Sequence, residues 1–290
     1  YAIHATGASP QLTNSGTGTI SATEYGVNFE GASSNITNSG EIFGTTTLAI
    51  NIEGSSSTIT NQSGGLIRAG DEDSTDDSHD LAIFIADTGD GSTVDNYGKI
   101  TAARNAIKIG SNTTNVTINN YSGGVISATD TGGNKAAIQV NANNAKITNK
   151  GIISSSGSAH SIEINTDVTG TEIYVDGAPT FTGEVELKNT AANTTLYLEC
   201  NISQDTTIEI HNKPSLNITN NLCGNDTYTI QDSSGNADAD NSETRGFLVI
   251  DEGLEVVSYN AKYRSENVST KLKGLFNAAN YINSGGPEDK

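Results

Sequence analysis

The sequence predicts an all-β fold: a right-handed parallel β-helix with three short strands per coil of about 24 residues and a capped, less regular C-terminal part. Three observations predict it. A phrase of a small residue, a β-branched residue, any residue and an apolar residue recurs, centred on Ile3, Val27, Ile50, Ile83, Ile107, Ile138 and Ile162. The steps between copies are 24, 23, 33, 24, 31 and 24 residues. A second phrase, apolar-x-Asn followed closely by Gly, runs out of phase with the first, as in Leu12/Asn14/Gly16, Ile36/Asn38/Gly40, Ile59/Asn61/Gly64, Val94/Asn96/Gly98, Ile118/Asn120/Gly123 and Ile147/Asn149/Gly151. Within each copy of the first phrase the apolar residues alternate, as Ile50 with Ile52 and Ile83 with Ile85, which is the period of a strand.

Each coil therefore opens on a strand whose apolar pair faces the core. The small residue before it (Ala2, Gly26, Ala49, Ala82, Ala106, Ala137, Ser161) reads as inward-facing or tightly packed at a corner. The column His4, Asn28, Asn51, Phe84, Lys108, Gln139 and Glu163 varies freely and reads as exposed. The Asn phrase marks a turn, because Asn tolerates left-handed backbone geometry and stacked amides can bond into a ladder. A third apolar position follows at Ile20, Ile42, Ile67, Ile100, Ile126 and Ile153. No single coil buries its own apolar face, so the coils must stack. At a strand spacing of about 4.8 Å, roughly twelve coils would give a rod about 55 to 60 Å long.

Two of the steps are long, and their surplus residues locate protruding loops. One falls in the acidic run 71–80, with Asp71, Glu72, Asp76, Asp77 and Asp80, and the other near Asp130 to Lys135. Both are candidate contact loops. The regular coils occupy 1–165, irregular coils and a C-terminal cap 166–265, and a short helix or linker 266–290. Cys200 and Cys223 stand 23 positions apart, one coil, which would put them on adjacent rungs within reach of a structural disulfide; two free thiols at that spacing are the alternative. A bond implies an oxidising, extracytoplasmic setting.

Composition narrows the function. The net charge is -19, with 34 acidic against 15 basic residues and no basic cluster, so nucleic acid is not an expected partner. No segment approaches 18 consecutive apolar residues. The chain contains no Met, which leads us to expect a processed piece of a longer protein.

No catalytic constellation emerges. Asn165-Thr166-Asp167 and Asp76-Asp77 resemble fragments of a polygalacturonase site but stand in reverse order without companion motifs. Arg68, Arg104 and Lys108 show no spacing that sets them against a carboxylate on one face, as a pectate lyase would need. The histidines His4, His79, His160 and His211 share no triad context and read as exposed polar residues. The acidic runs 71–80 and 87–91 match no calcium-binding pattern, so neither metal nor cofactor is expected.

The phrases LTNSGTGTI, ITNSGEI and ITNKGII, the strands AINIEG and AIFIAD, and the tail AKYRSENVSTKLKGLFNAANYINSGG resemble the passenger region of a bacterial autotransporter, a type V secreted protein. The cysteine pair is a departure, since such passengers commonly avoid cysteine. The resemblance implies a cell-surface or released protein, attached to an outer-membrane barrel without itself entering the membrane. It also implies that the capped C-terminal coils fold first during export. The expectation is a non-enzymatic rod that adheres to host cell-surface or matrix molecules, or associates with itself. Polysaccharide processing and an S-layer-like coat are the alternatives.

Overall fold

Alternating apolar residues separated by tight turns leave each segment with one face to bury, and parallel stacking of successive segments buries it. The computed structural model describes residues 1–70, 80–129, 136–156, 160–188, 193–212, 216–224, 226–237 and 245–251. They lie within the unit Tyr1–Gly253. They form a β-solenoid of about 8 turns with three strands per coil of about 24 residues, and no helix occurs among them.

The first coil holds β1 (Ile3–Ala5), β2 (Gln11–Asn14) and β3 (Thr19–Ala22), and the second holds β4 (Tyr25–Phe29), β5 (Asn35–Asn38) and β6 (Glu41–Gly44). First strands stack on first strands through β19 (His160–Ile164), β22 (Val185–Leu187) and β24 (Thr206–His211), making the first sheet. Second strands stack through β23 (Thr194–Leu198) to β25 (Leu216–Asn220), and third strands to β21 (Thr180–Thr182). Every pairing along these three stacks is parallel and in register with the repeat, as Ile50 with Ile83, Ile83 with Ile107, and Ile107 with Ile138. These residues are fully buried in one continuous apolar seam with Ile42, Ile67 and Ile100 from the third strands and Ile36, Ile59 and Val94 from the second.

The small residue of the first phrase faces inward as the second residue of the strand in the inner coils, while Ala2 in the first coil is exposed. Ala49, Ala82, Ala106, Ala137 and Ser161 are wholly buried. At Gly26 an added Cβ would lie 2.7 Å from the Ala49 carbonyl oxygen and 3.2 Å from the Ile42 side chain, so only hydrogen fits.

The Asn column is a buried amide ladder. Asn14 Nδ2 donates to Asn38 Oδ1, Asn38 to Asn61, Asn61 to Asn96, Asn96 to Asn120 and Asn120 to Asn149, each at 2.9 Å. At the Asn corner left-handed geometry falls on glycines, Gly16, Gly64 and Gly123, and among non-glycine residues it belongs to a different corner, at Ser9, Ser33, Ser56, Asn115 and Asn144. The ladder Asn residues are therefore selected for their amides and not for backbone tolerance.

One expectation is corrected. Among the described residues the number of turns is about 8 and not twelve, because two repeats take 33 and 31 residues and the second and third sheets end at β25 and β21. The coils past 166 stack in parallel as far as β24 and β25, and the first sheet then ends differently. A hairpin of β26 (Thr227–Asp232) and β27 (Arg245–Asp251) continues the first sheet, with β27 antiparallel to β24. The expected tail 266–290 lies outside the described residues.

Candidate functional site

The first sheet carries its chemistry on the outer column that begins at His4. Register pairing continues that column beyond the repeat, from Gln139 to Glu163, Glu186, His211 and Arg245. It is not the exposed column that alternation predicts. Asn28 is 1 % exposed, Asn51 6 % and Glu163 3 %. Rungs stacked directly above and below cover each other's flanks, so an outward side chain in a parallel ladder loses most of its water.

Toward the N-terminal coils this face holds a cavity of about 320 Å³ lined by Tyr25, Asn51, Glu53, Phe84 and Lys108, among others. Burial, reinforced by the nearby Arg104 charge, pulls the Lys108 ammonium below its usual range. Asn51 Nδ2 donates to Asn28 Oδ1 at 2.7 Å and to Glu53 Oε1 at 2.8 Å. Its own Oδ1 is buried without a donor, because the next rung is Phe84.

Toward the C-terminal coils the same face gathers ionisable groups. His160 Nε2 lies 2.8 Å from Glu186 Oε2 and 3.8 Å from Glu163 Oε2, while Nδ1 lies 3.1 Å from Glu184 Oε1. Lys188 Nζ sits 2.7 Å from Glu186 Oε2 and 3.5 Å from Glu163 Oε2. His211 Nδ1 approaches Glu186 Oε1 at 3.3 Å, and Arg245 Nη2 donates to Glu184 Oε1 at 3.0 Å. Burial works to raise the Glu186 carboxyl, but the Lys188 ammonium and the two histidine rings outweigh it and hold the carboxyl below its usual range. The same contacts, working against burial, hold Lys188 above its own. The residues come from three successive first-sheet strands and from the hairpin. His160, Glu163, Glu184 and Glu186 are all buried, which corrects the reading of His160 as an exposed polar residue.

Among the residues singled out from the sequence, Cys200 and Cys223 form the disulfide, with Cα atoms 4.8 Å apart, joining the ends of β23 and β25. Asp80 is buried, and its carbonyl accepts from the backbone amides of Arg104 and Asn105. Asp71, Glu72, Asp76, Asp77, Asp130 and Lys135 lie outside the described residues, as does His79. Arg68 does meet a carboxylate, against expectation. It stacks on Phe43 at 3.5 Å and reaches Glu41 Oε1 at 2.5 Å, because one coil separates it from both. The ionic cluster went unread in the sequence although its signal is the one that paired the cysteines. Glu163, Glu186 and His211 are 23 and 25 positions apart, again one coil each.

Comparison of the chain with protein-family models, with curated proteins and with solved structures finds no match.

Proposed function

We propose that this chain is a non-enzymatic surface or secreted rod, the passenger segment of a bacterial autotransporter. It presents its inserted loops to host cell-surface or matrix molecules, or to further copies of itself. One observation carries the reading: an inner seam that repeats almost unchanged from coil to coil supports an outer column whose residues change along it, from His4, Asn28 and Asn51 to Phe84, Lys108, Gln139 and Glu163. A scaffold built this way holds contact groups at fixed spacing while leaving their identity free to vary. The disulfide agrees with an extracytoplasmic setting.

The test is binding of the purified chain to host cells and immobilised matrix proteins, with its oligomeric state followed by light scattering. Saturable binding or concentration-dependent association is expected, weakened by excising 71–79 or 130–135. A chain that binds none of these and stays monomeric at high concentration overturns the proposal.

A second reading, polysaccharide processing, draws on the cavity flanked by Tyr25 and Phe84, where aromatic faces stand beside Asn51, Glu53 and Lys108. Incubation with a panel of acidic and neutral glycans, with detection of released oligosaccharides, separates the two.

A further inference from the structure

Buried polar groups without hydrogen bonds are uncommon, and each needs a cause, an unseen ion among them. Five cluster at one place on the first sheet: His160 Nδ1, Glu163 Oε2, Glu184 Oε2, Glu186 Oε2 and His211 Nδ1 are buried without a well-aligned hydrogen bond, with the Lys188 ammonium 2.7 Å from Glu186 Oε2. The close approaches between them are charge contacts whose angles fall short of hydrogen bonds. From this geometry we infer that His160, Glu163 and Glu186 form a binding site for a divalent transition-metal ion of the zinc type.

Three features support the assignment. First, one ligand atom from each of the three residues lies within 4.8 Å of the other two. Tetrahedral ligands about 2.1 Å from zinc stand about 3.4 Å apart. The separations of 2.8 Å and 3.8 Å from His160 Nε2 to Glu186 Oε2 and Glu163 Oε2 fall on either side of that value. Second, each ligand's other polar atom has a polar neighbour where groups that orient metal ligands stand, one of them hydrogen-bonded. Glu184, itself held by Arg245, faces His160 Nδ1; Gln139 Nε2 donates to Glu163 Oε1 at 2.8 Å; His211 faces Glu186 Oε1. Third, Glu163 is more than nine-tenths buried, and its Oε2 faces the shared point with the part-exposed Lys188 ammonium, 3.5 Å away, as its neighbouring donor. One imidazole and two carboxylates suit zinc, manganese or cobalt better than calcium, which prefers oxygen alone.

The Lys188 ammonium already stands beside Glu163 and Glu186, so it competes with the ion. Its side chain is 28 % exposed and has water to swing into. Binding therefore exchanges one positive charge for two, and the lysine sets how tightly the ion is held. An ion bound here ties β19 to β22, next to the strands that receive the hairpin.

The experiment is titration of the full chain with Zn²⁺ by calorimetry, with Co²⁺ absorbance to report the coordination. One equivalent is expected to bind and to raise the melting temperature. Glu163→Gln and His160→Gln are expected to lower affinity at least about tenfold, and Glu184→Gln to weaken it by about the same factor through His160. Lys188→Met is expected to tighten binding at least about tenfold, a gain that a misfolded chain does not produce. Failure of both the native chain and Lys188→Met to bind Zn²⁺, Mn²⁺ or Co²⁺ overturns the inference, leaving an ion-pair network alone. Binding that persists undiminished in folded Glu163→Gln/Glu186→Gln protein overturns it equally, since the ion then sits elsewhere on the acidic surface.

Discussion

A single amide in the Asn column serves two neighbours at once. Asn96 Nδ2 donates to Asn120 Oδ1 and to the Val125 carbonyl, while its Oδ1 accepts from Asn61. Asn96→Ala leaves those groups unpaired in a dry interior, so we expect a loss of about 1 to 3 kcal/mol in unfolding free energy by urea titration. The apolar seam responds through volume. Ile107→Ala empties a fully buried position and is expected to cost about 2 to 5 kcal/mol in the same measurement. The Tyr97 and Tyr121 rings stack at 4.1 Å in successive coils, with the Tyr121 hydroxyl 3.4 Å from Asp95 Oδ1. Burial, then the bond to Tyr97 and the Asp95 charge, push the Tyr121 phenol up to about 12. An unfolded tyrosine ionises near pH 10, so the folded chain holds this proton longer than the unfolded one does. The stability from this group is complete below pH 10 and is lost as pH rises toward 12. Tyr174, Tyr197 and Tyr25 are held up as well, so phenolate absorbance in the native chain should rise late in several steps, and Tyr121→Phe should shrink the late phase by one tyrosine; a native chain titrating uniformly near pH 10 contradicts this.

At the scale of the element, the C-terminal coils differ from the regular ones in what holds them. The disulfide clamps the last parallel pair of the second sheet, where Leu198 is paired with Asn220. A closed loop of 23 residues loses unfolded-state entropy worth about 3 kcal/mol, so Cys200→Ser/Cys223→Ser is expected to lower the melting temperature by several degrees. Hydrogen exchange should place that loss in β23 and β25 before the Asn ladder, because a solenoid transmits stability mainly between adjacent coils. The antiparallel β27 ends the parallel stacking of the first sheet, and β26, paired with its far side, is the last strand. Arg245 joins that strand to Glu184, two pairings away across β24 and β22.

Across the unit Tyr1–Gly253, the proposed function and the proposed metal site make separable demands. Excising the inserted loops tests recognition; substituting Lys188 or Glu163 tests the ion. The strand period, the small inward residue, the in-register stacking of Ile50, Ile83 and Ile107 and the cysteine pair were all legible in the sequence. Each is set by an alternation of two or by a separation of one coil. Asn96 and its neighbours were legible as a ladder but not as buried strand ends, because a turn and a strand terminus share the same residues. The burial of Asn28, Asn51 and Glu163 was not legible, because alternation gives the direction of a side chain and says nothing of what stands above and below it. Nor was the meeting of His160 with Glu184 and Glu186. Sequence by itself determined the repeat and which residues form the seam, since that information is local and periodic. Only the tertiary structure decided which outward groups lose water and converge, because that depends on how unequal loops return each strand to register against its neighbours.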